Sequence, residues 1–280
     1  MKNRIYSTDS AKAIKAQGFG VINGIHYMAP HELGSHGTGR KFNLCSHASA
    51  GCISLCLGEF SGQAGMAKDG ELNSVRKSRR DKAARFMNDR KAYMQDVALA
   101  TGQEYRRAAK KGFGFVARFN GSTDIAVEAI NVVVDAALAS KLSKLMQRIV
   151  AAGVYRNLMV LFPEIQFVDY TKNPLRLARK LPANYSLTFS LAENNHAAAL
   201  ELLSRGVNVA AVFGGQMPAA WNGYTVINGD EHDLRHLDPT GPRGFIVGLA
   251  PKGRKAKKDK SGFVVWNHVE TIGAEISAAA

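Results

Sequence analysis

The chain has 280 residues, of which 46% are hydrophobic and 21% charged, and its formal charge is +14. That length can bury a sizeable core without covalent staples, as one large α/β domain or two small ones. The basic excess favours polyanions such as nucleic acid, nucleotides or an anionic membrane surface. The opening residues lack the apolar core of about 7–15 residues that marks a signal peptide, and no apolar run reaches about 18 residues, so a soluble, cytoplasmic protein without a membrane span is expected.

Residues 1–40 are rich in Gly and His and weakly periodic, and they read as an N-terminal extension with a short strand or hairpin around 20–28. KFNLCS (41–46) reads as a short strand opening into a Gly-rich loop that runs to Gly70. Asn73 or Ser74 can cap a long helix reaching about Thr101, with Val75, Ala83, Phe86, Met87, Met94 and Val97 for an apolar face. GFVARFN (114–120) is strand-like, and the stretch 124–153 predicts one or two helices. IQFVDYT (165–171), YSLTFSLA (185–192), VNVAAVFG (207–214), YTVING (224–229) and GFIVGLA (244–250) predict further strands. NPLRLARKL (173–181) and HAAALELLSRG (196–206) predict helices, the second ending at Gly206.

Short apolar strands separated by helices imply a buried parallel sheet, because parallel strands need crossover connections. About six strand units predict an α/β fold, a full or partial (β/α) barrel over residues 41–266, with a doubly wound parallel sheet as the alternative and 267–280 as a C-terminal tail. In either fold the site lies at the C-terminal ends of the strands.

All three cysteines, Cys45, Cys52 and Cys56, fall within FNLCSHASAGCISLCLGEFSG (42–62), spaced C-x6-C-x3-C. An odd, clustered set in a reducing compartment argues against a disulfide framework and for metal or redox chemistry. Thiolates suit zinc or an iron–sulfur cluster. A closed zinc site would add His47 as fourth ligand, whereas a [4Fe–4S] cluster on three cysteines keeps one iron open to a ligand. Free cysteines packed as small apolar groups are the third reading.

The cysteine loop together with LNSVRKSRR (72–80), RFNGSTDI (118–125), DYTKNP (169–174), SLTFSLAENN (186–195), NGDEHDLRHLDP (228–239) and KGRKAKKDKSGFVV (252–265) resembles an uncharacterised group of phage and plasmid proteins, gene-product-88-like. More distantly it resembles the radical S-adenosylmethionine proteins, whose three-cysteine loop follows the first strand of a partial barrel. The resemblance implies a [4Fe–4S] cluster on Cys45, Cys52 and Cys56, S-adenosylmethionine as cofactor, and, for a phage-encoded chain, the host cytoplasm. The spacing here is wider than the C-x3-C-x2-C of that superfamily, and Ser46-His47 stand where the phage group more often has Pro-Gly.

In RFNGSTD, Gly121 permits a sharp turn while Ser122, Thr123 and Asp124 can cap the next helix. By the same resemblance, Asn120, Gly121, Ser122 and Asp124 would hold the cofactor, since radical S-adenosylmethionine proteins use the end of the second strand to hold the methionine ammonium. Asp169, Tyr170, Thr171 and Lys172, and then Glu193, Asn194 and Asn195, end the following strands and could line the same mouth.

NGDEHDLRHLDP puts His232 and His236 at i, i+4, a chelating spacing on a helix, although a solvated acidic loop fits as well. Because the resemblance to the phage group extends through Asp230, Asp233, Arg235 and Asp238, it implies Asp233 and Arg235 as the better candidates for fixing a polar substrate, as catalytic or orienting groups. Lys252, Arg254, Lys255, Lys257 and Lys258 form the densest basic run, and Arg76, Lys77, Arg79, Arg80, Lys82 and Arg85 a second; both read as solvated faces or phosphate contacts. P-loop, Rossmann and nucleophile-elbow motifs are absent, as are helix-turn-helix and zinc-finger readers. The expected function is therefore an iron–sulfur, radical-S-adenosylmethionine-like protein acting on a nucleotide or nucleic acid, or else a zinc-stabilised nucleic-acid-binding or hydrolytic protein.

Overall fold

Alternation of apolar and polar residues along short β-branched runs produces twelve strands among the described residues, which are 4–9 and 11–266 of this computed structural model. They are β1 (Tyr6–Ser7), β2 (Val21–His26), β3 (Gly114–Arg118), β4 (Val132–Val134), β5 (Gly153–Tyr155), β6 (Gln166–Thr171), β7 (Tyr185–Ser190), β8 (Val209–Phe213), β9 (Ala220–Trp221), β10 (Tyr224–Asn228), β11 (Ile246–Leu249) and β12 (Val264–Val265). Ten of them form one sheet in the order β1-β2-β3-β6-β7-β8-β11-β10-β9, with β12 on β8, while β4 and β5 make a separate antiparallel ribbon. From β2 to β10 every neighbouring pair is parallel; β1 and β9 are antiparallel caps.

The helices are α1 (Ala11–Lys15), α2 (Ala50–Ser54), α3 (Leu57–Phe60), α4 (Ser74–Asn88), α5 (Arg90–Ala109), α6 (Ala136–Met146), α7 (Leu158–Leu161), α8 (Pro174–Leu177) and α9 (His196–Ser204). Period-2 alternation sends Phe115 and Ala117 of β3, Phe167 of β6 and Tyr185 and Leu187 of β7 to one sheet face, where they pack with Tyr93, Met94, Val97, Leu138 and Leu142 of α5 and α6. A second core joins Phe189, Val209, Ala211, Phe213 and Ile246 to Leu202 and Leu203 of α9. The other face carries Val116 and Val168, covered by Ala16 and Leu234, and beyond them toward the strands' carboxyl ends Arg118, Tyr170, Lys172 and Ser190.

The protein is thus a mixed α/β fold with a large, mostly parallel sheet. No closed barrel forms, because β1 and β9 end the sheet as edges instead of pairing with each other. An open sheet is what the doubly wound alternative requires. The expected extension 1–40 is not separate from the sheet, since β2 pairs with β3 from Val21↔Gly114 to Ile25↔Arg118. KFNLCS is not a strand: the Asn43 side chain accepts from the Cys45 backbone N–H at 2.7 Å, which bends the chain into a turn. The parallel strand preceding the cysteine loop is therefore β2.

The expected long helix is two helices. Asp89 leaves helical geometry at φ −141° and ψ 73°, closes α4 through its backbone and caps α5 by accepting from Ala92 N. Within 124–153 the triplet VVV is strand β4, and only α6, capped by Asp135, is an α-helix. The tail 267–280 lies outside the described residues. Among the described residues no helix is long and apolar enough to cross a membrane.

Candidate functional site

The cysteine loop lies across the carboxyl ends of the parallel strands, and its anchors are identifiable one by one. Cys45 follows the Asn43 turn; its sulfur accepts from His31 N at 3.3 Å and donates to the Ser122 carbonyl at 3.7 Å. Cys52 sits in α2, whose first turn is held by Ser49 Oγ accepting from Cys52 N. Glu193, from the loop after β7, grips the same turn by accepting from Ser49 Oγ and Gly51 N, each at 2.7 Å. Cys56 links α2 to α3 and takes backbone N–H groups of Gly58 and Glu59 at its sulfur. Two glycines are crowded here: a Cβ on Gly51 would stand 2.9 Å from Phe263 Cβ, and one on Gly58 would stand 2.5 Å from Ser122 Cβ.

All three thiols line one cavity of about 210 Å³, together with Arg118, Tyr170, Lys172, Ser190, Val212, Leu249, Lys252 and Phe263. Burial pushes the Cys45 thiol up to about 12 and the Cys56 thiol up to about 11, and the neighbouring cysteines push in the same direction. Near neutral pH both are protonated, so neither is a ready nucleophile, and a cation binding here would displace protons. Among the described residues no three His, Cys, Asp or Glu side chains are grouped so as to hold a single metal ion. His47, the expected fourth zinc ligand, is exposed, lies 3.0 Å from Ser46 Oγ and does not line the cavity.

The turn 120–124 forms the opposite wall. Asn120 N and Nδ2 donate to Asp169 at 2.7 and 3.1 Å, and its Oδ1 accepts from Thr123 Oγ1 and Ile125 N. Burial raises the Asp169 carboxyl to about 6. Gly121 brings the turn against β2, where a Cβ would lie 2.5 Å from the His26 carbonyl. Ser122 Oγ donates to the Met28 carbonyl at 2.6 Å. Asp124 accepts from Lys172 N and from Arg176, which also grips Glu128 and Tyr185. The four expected cofactor residues therefore do line the cavity, yet the polar side chains among them already have partners inside the fold. The turn's evident work is to fix the wall.

A family model described as gene product 88 matches residues 3–267. The chain belongs to the gene product 88 family. No curated protein and no solved structure matches it, and none of the comparisons supports the wider resemblance to radical S-adenosylmethionine proteins.

In this gene product 88 protein the segment 228–239 packs on the sheet face below the cavity rather than lining it. Asp233 and Arg235 are 3% and 4% exposed, Asp233 lying 3.5 Å from Arg118 and Arg235 lying 3.3 Å from Asp238. Burial raises the Asp238 carboxyl to about 6. The segment contains one 3-10 turn, Arg235–Leu237, and no α-helix, so His232 and His236 do not share a helical face. The Nδ1 of His232 accepts from Leu234 N instead.

The two basic runs part company. Lys252 enters the cavity wall and pairs with Asp230 at 2.6 Å, and Lys255 pairs with Asp69 while its ammonium stands 3.6 Å from the centre of the Phe60 ring. Arg254, Lys257, Lys258 and Lys260 are exposed around a second concavity that Leu55 of the cysteine loop also lines. On α4, by contrast, Arg76, Arg79 and Lys82 point inward, while Lys77 and Arg85 are exposed. Arg76 donates to the carbonyls of Lys68, Glu71 and Glu59, Arg79 reaches the Gly58 carbonyl, and Lys82 reaches the Arg4 carbonyl. Sequence reasoning did not single out Arg118; the available signal was a strand whose last inward-facing position is Arg after an apolar start.

Proposed function

We propose that this gene product 88 protein carries a [4Fe–4S] cluster on Cys45, Cys52 and Cys56 and acts, with chemistry like that of radical S-adenosylmethionine proteins, on a nucleotide or nucleic acid, in the host cytoplasm if the chain is phage-encoded. The observation that carries the reading is the convergence of three thiols from one loop on a single cavity at the carboxyl ends of parallel strands. Three cysteine thiolates on one loop are the donor set that a [4Fe–4S] cluster with one open iron takes. Further support comes from the winding, since the strands from β2 to β8 follow chain order across the sheet as in a partial (β/α) barrel.

When bound, such a cluster supplies one-electron chemistry and an iron open to a ligand. The chain's own residues do the rest. Glu193 orients the turn bearing Cys52, Phe263 and Leu249 give the cavity an apolar wall that excludes water, and Asn120 and Asp124 brace the side on which S-adenosylmethionine would lie. The exposed cations at 254–260 provide a phosphate-attracting rim.

Anaerobic reconstitution with iron and sulfide tests the reading. About four irons per chain and a broad charge-transfer absorption are expected, and a Cys→Ala change at any of the three positions abolishes both. A colourless protein holding stoichiometric zinc would overturn it. For the polyanion, binding to single-stranded RNA or DNA is expected to weaken steeply with salt; absent or salt-insensitive binding removes that half.

A further inference from the structure

Beneath the thiols, the cavity floor is cationic. Of its lining residues Arg118, Lys172 and Lys252 are cations and Asp124 is the one carboxylate. Asp124 is already engaged by Arg176 at 2.6 Å and by Lys172 N at 2.8 Å, and Lys252 is paired with Asp230. Among the described residues Lys172 has no carboxylate partner for its ammonium, while Arg118 shares its charge with the buried Asp233. Arg118 ends β3 on the inward face, 13% exposed, with its guanidinium 4.6 Å from the centre of the Tyr170 ring. Its single carboxylate contact, to Asp233, is 3.5 Å long, and its buried Nε has no hydrogen-bond partner. Burial opposes the Arg118 charge, but Asp233, Tyr170, Tyr27 and Asp169 more than offset it, so the guanidinium stays charged at the cavity wall. Lys172, just past β6, donates to Ser190 Oγ at 2.7 Å and stands 5.2 Å from the centre of the Phe263 ring, leaving its other ammonium protons toward the cavity. The buried Tyr170 hydroxyl is also without a partner.

We propose that Arg118 and Lys172 form a binding site for an oxyanion, phosphate or carboxylate, of a small ligand whose apolar part lies against Val212, Leu249 and Phe263. The site gives the nucleotide-directed reading a specific anchor inside the cavity, but it does not depend on the thiols holding iron. The oxyanion would take a guanidinium N–H on the cavity side and the remaining ammonium protons. The outer rim of Arg254, Lys257 and Lys258 would then attract anions without fixing them.

The test is calorimetric titration of the metal-free protein with pyrophosphate and with succinate at constant ionic strength, so that it stands apart from iron reconstitution. Saturable one-to-one binding of at least one probe is expected, and the preferred probe tells phosphate from carboxylate. Lys172→Gln, which retains a donor for Ser190, is expected to weaken binding by about tenfold or more, while a triple Arg254→Gln, Lys257→Gln, Lys258→Gln variant stays within about twofold of the parent. Arg118→Lys keeps the charge beside Asp233 and should still weaken binding by losing the planar fork. The proposal is overturned if neither probe saturates, or if the triple variant loses binding that Lys172→Gln keeps.

Discussion

His26, the last residue of β2, is wholly enclosed, and its two ring nitrogens face different partners. Nδ1 lies 2.9 Å from the Phe119 carbonyl, which can only accept, so Nδ1 carries the proton and Nε2 accepts from the Tyr93 hydroxyl at 2.7 Å. Burial, aided by Lys82, lowers this imidazole from 6.5 to about 3. Its contribution to stability is therefore present above about pH 6.5 and is lost as the pH falls, because the unfolded chain takes a proton that the folded one refuses. Unfolding free energies in urea between about pH 7 and pH 4 should fall by up to about 1.4 kcal/mol per pH unit on this account, and His26→Gln should flatten the slope by about one proton. Equal slopes in the two proteins would rule out a neutral buried ring. Residue identity alone made the thiols visible, since three cysteines in one loop need no structure to notice. It left the partners of Asn120 and Asp124 invisible, because hydrogen bonds to Asp169 and Arg176, about 50 residues away, leave no trace in local spacing.

At the scale of elements, α4 shows how a basic run can be structural. Arg76, 1% exposed on its side chain, pairs with buried Glu59 at 3.1 Å and donates to four carbonyls between residues 59 and 71, so one helix position holds the segment that follows the cysteines. Arg76→Met should cost about 3–5 kcal/mol in urea unfolding, since it strands the Glu59 carboxylate, and tryptic cleavage at Lys68 should accelerate. Adding Glu59→Gln should recover part of the loss; a double variant no more stable than the single one would show that the ion pair is not the cause. Periodicity located this helix and left its cap between Asn73 and Ser74; Asn73 is the one that accepts from Arg76 N. The apolar pattern placed the helix end wrongly because it resumes at Met94 and Val97 past Asp89, a weak helix former that caps α5 instead of continuing α4. Likewise VVV (132–134) pairs with 153–155 as β4–β5, a long-range choice that overrides a helix-like neighbourhood.

Across the whole molecule, the two large cores meet on β7. Tyr185 and Leu187 belong to the first core and Phe189 to the second, and Leu177 packs against both. A strand shared in this way couples the halves, so Phe162→Ala and Phe213→Ala, one in each core, should each lower stability by about 3–5 kcal/mol within a single calorimetric transition. Two separated transitions in either variant would show that the halves melt independently. The sequence by itself determined the class of the fold, the parallel pairing of its central strands and the loop that carries all three thiols, because strand periodicity, crossover helices and cysteine spacing are local. Tertiary structure alone decided that β2, not 41–46, starts the parallel sheet, that the sheet stays open, and that Arg118, Lys172 and the thiols share one cavity. Those outcomes depend on which strand edges meet and which buried charges find partners, and such long-range pairings are chosen by packing and desolvation over the whole chain.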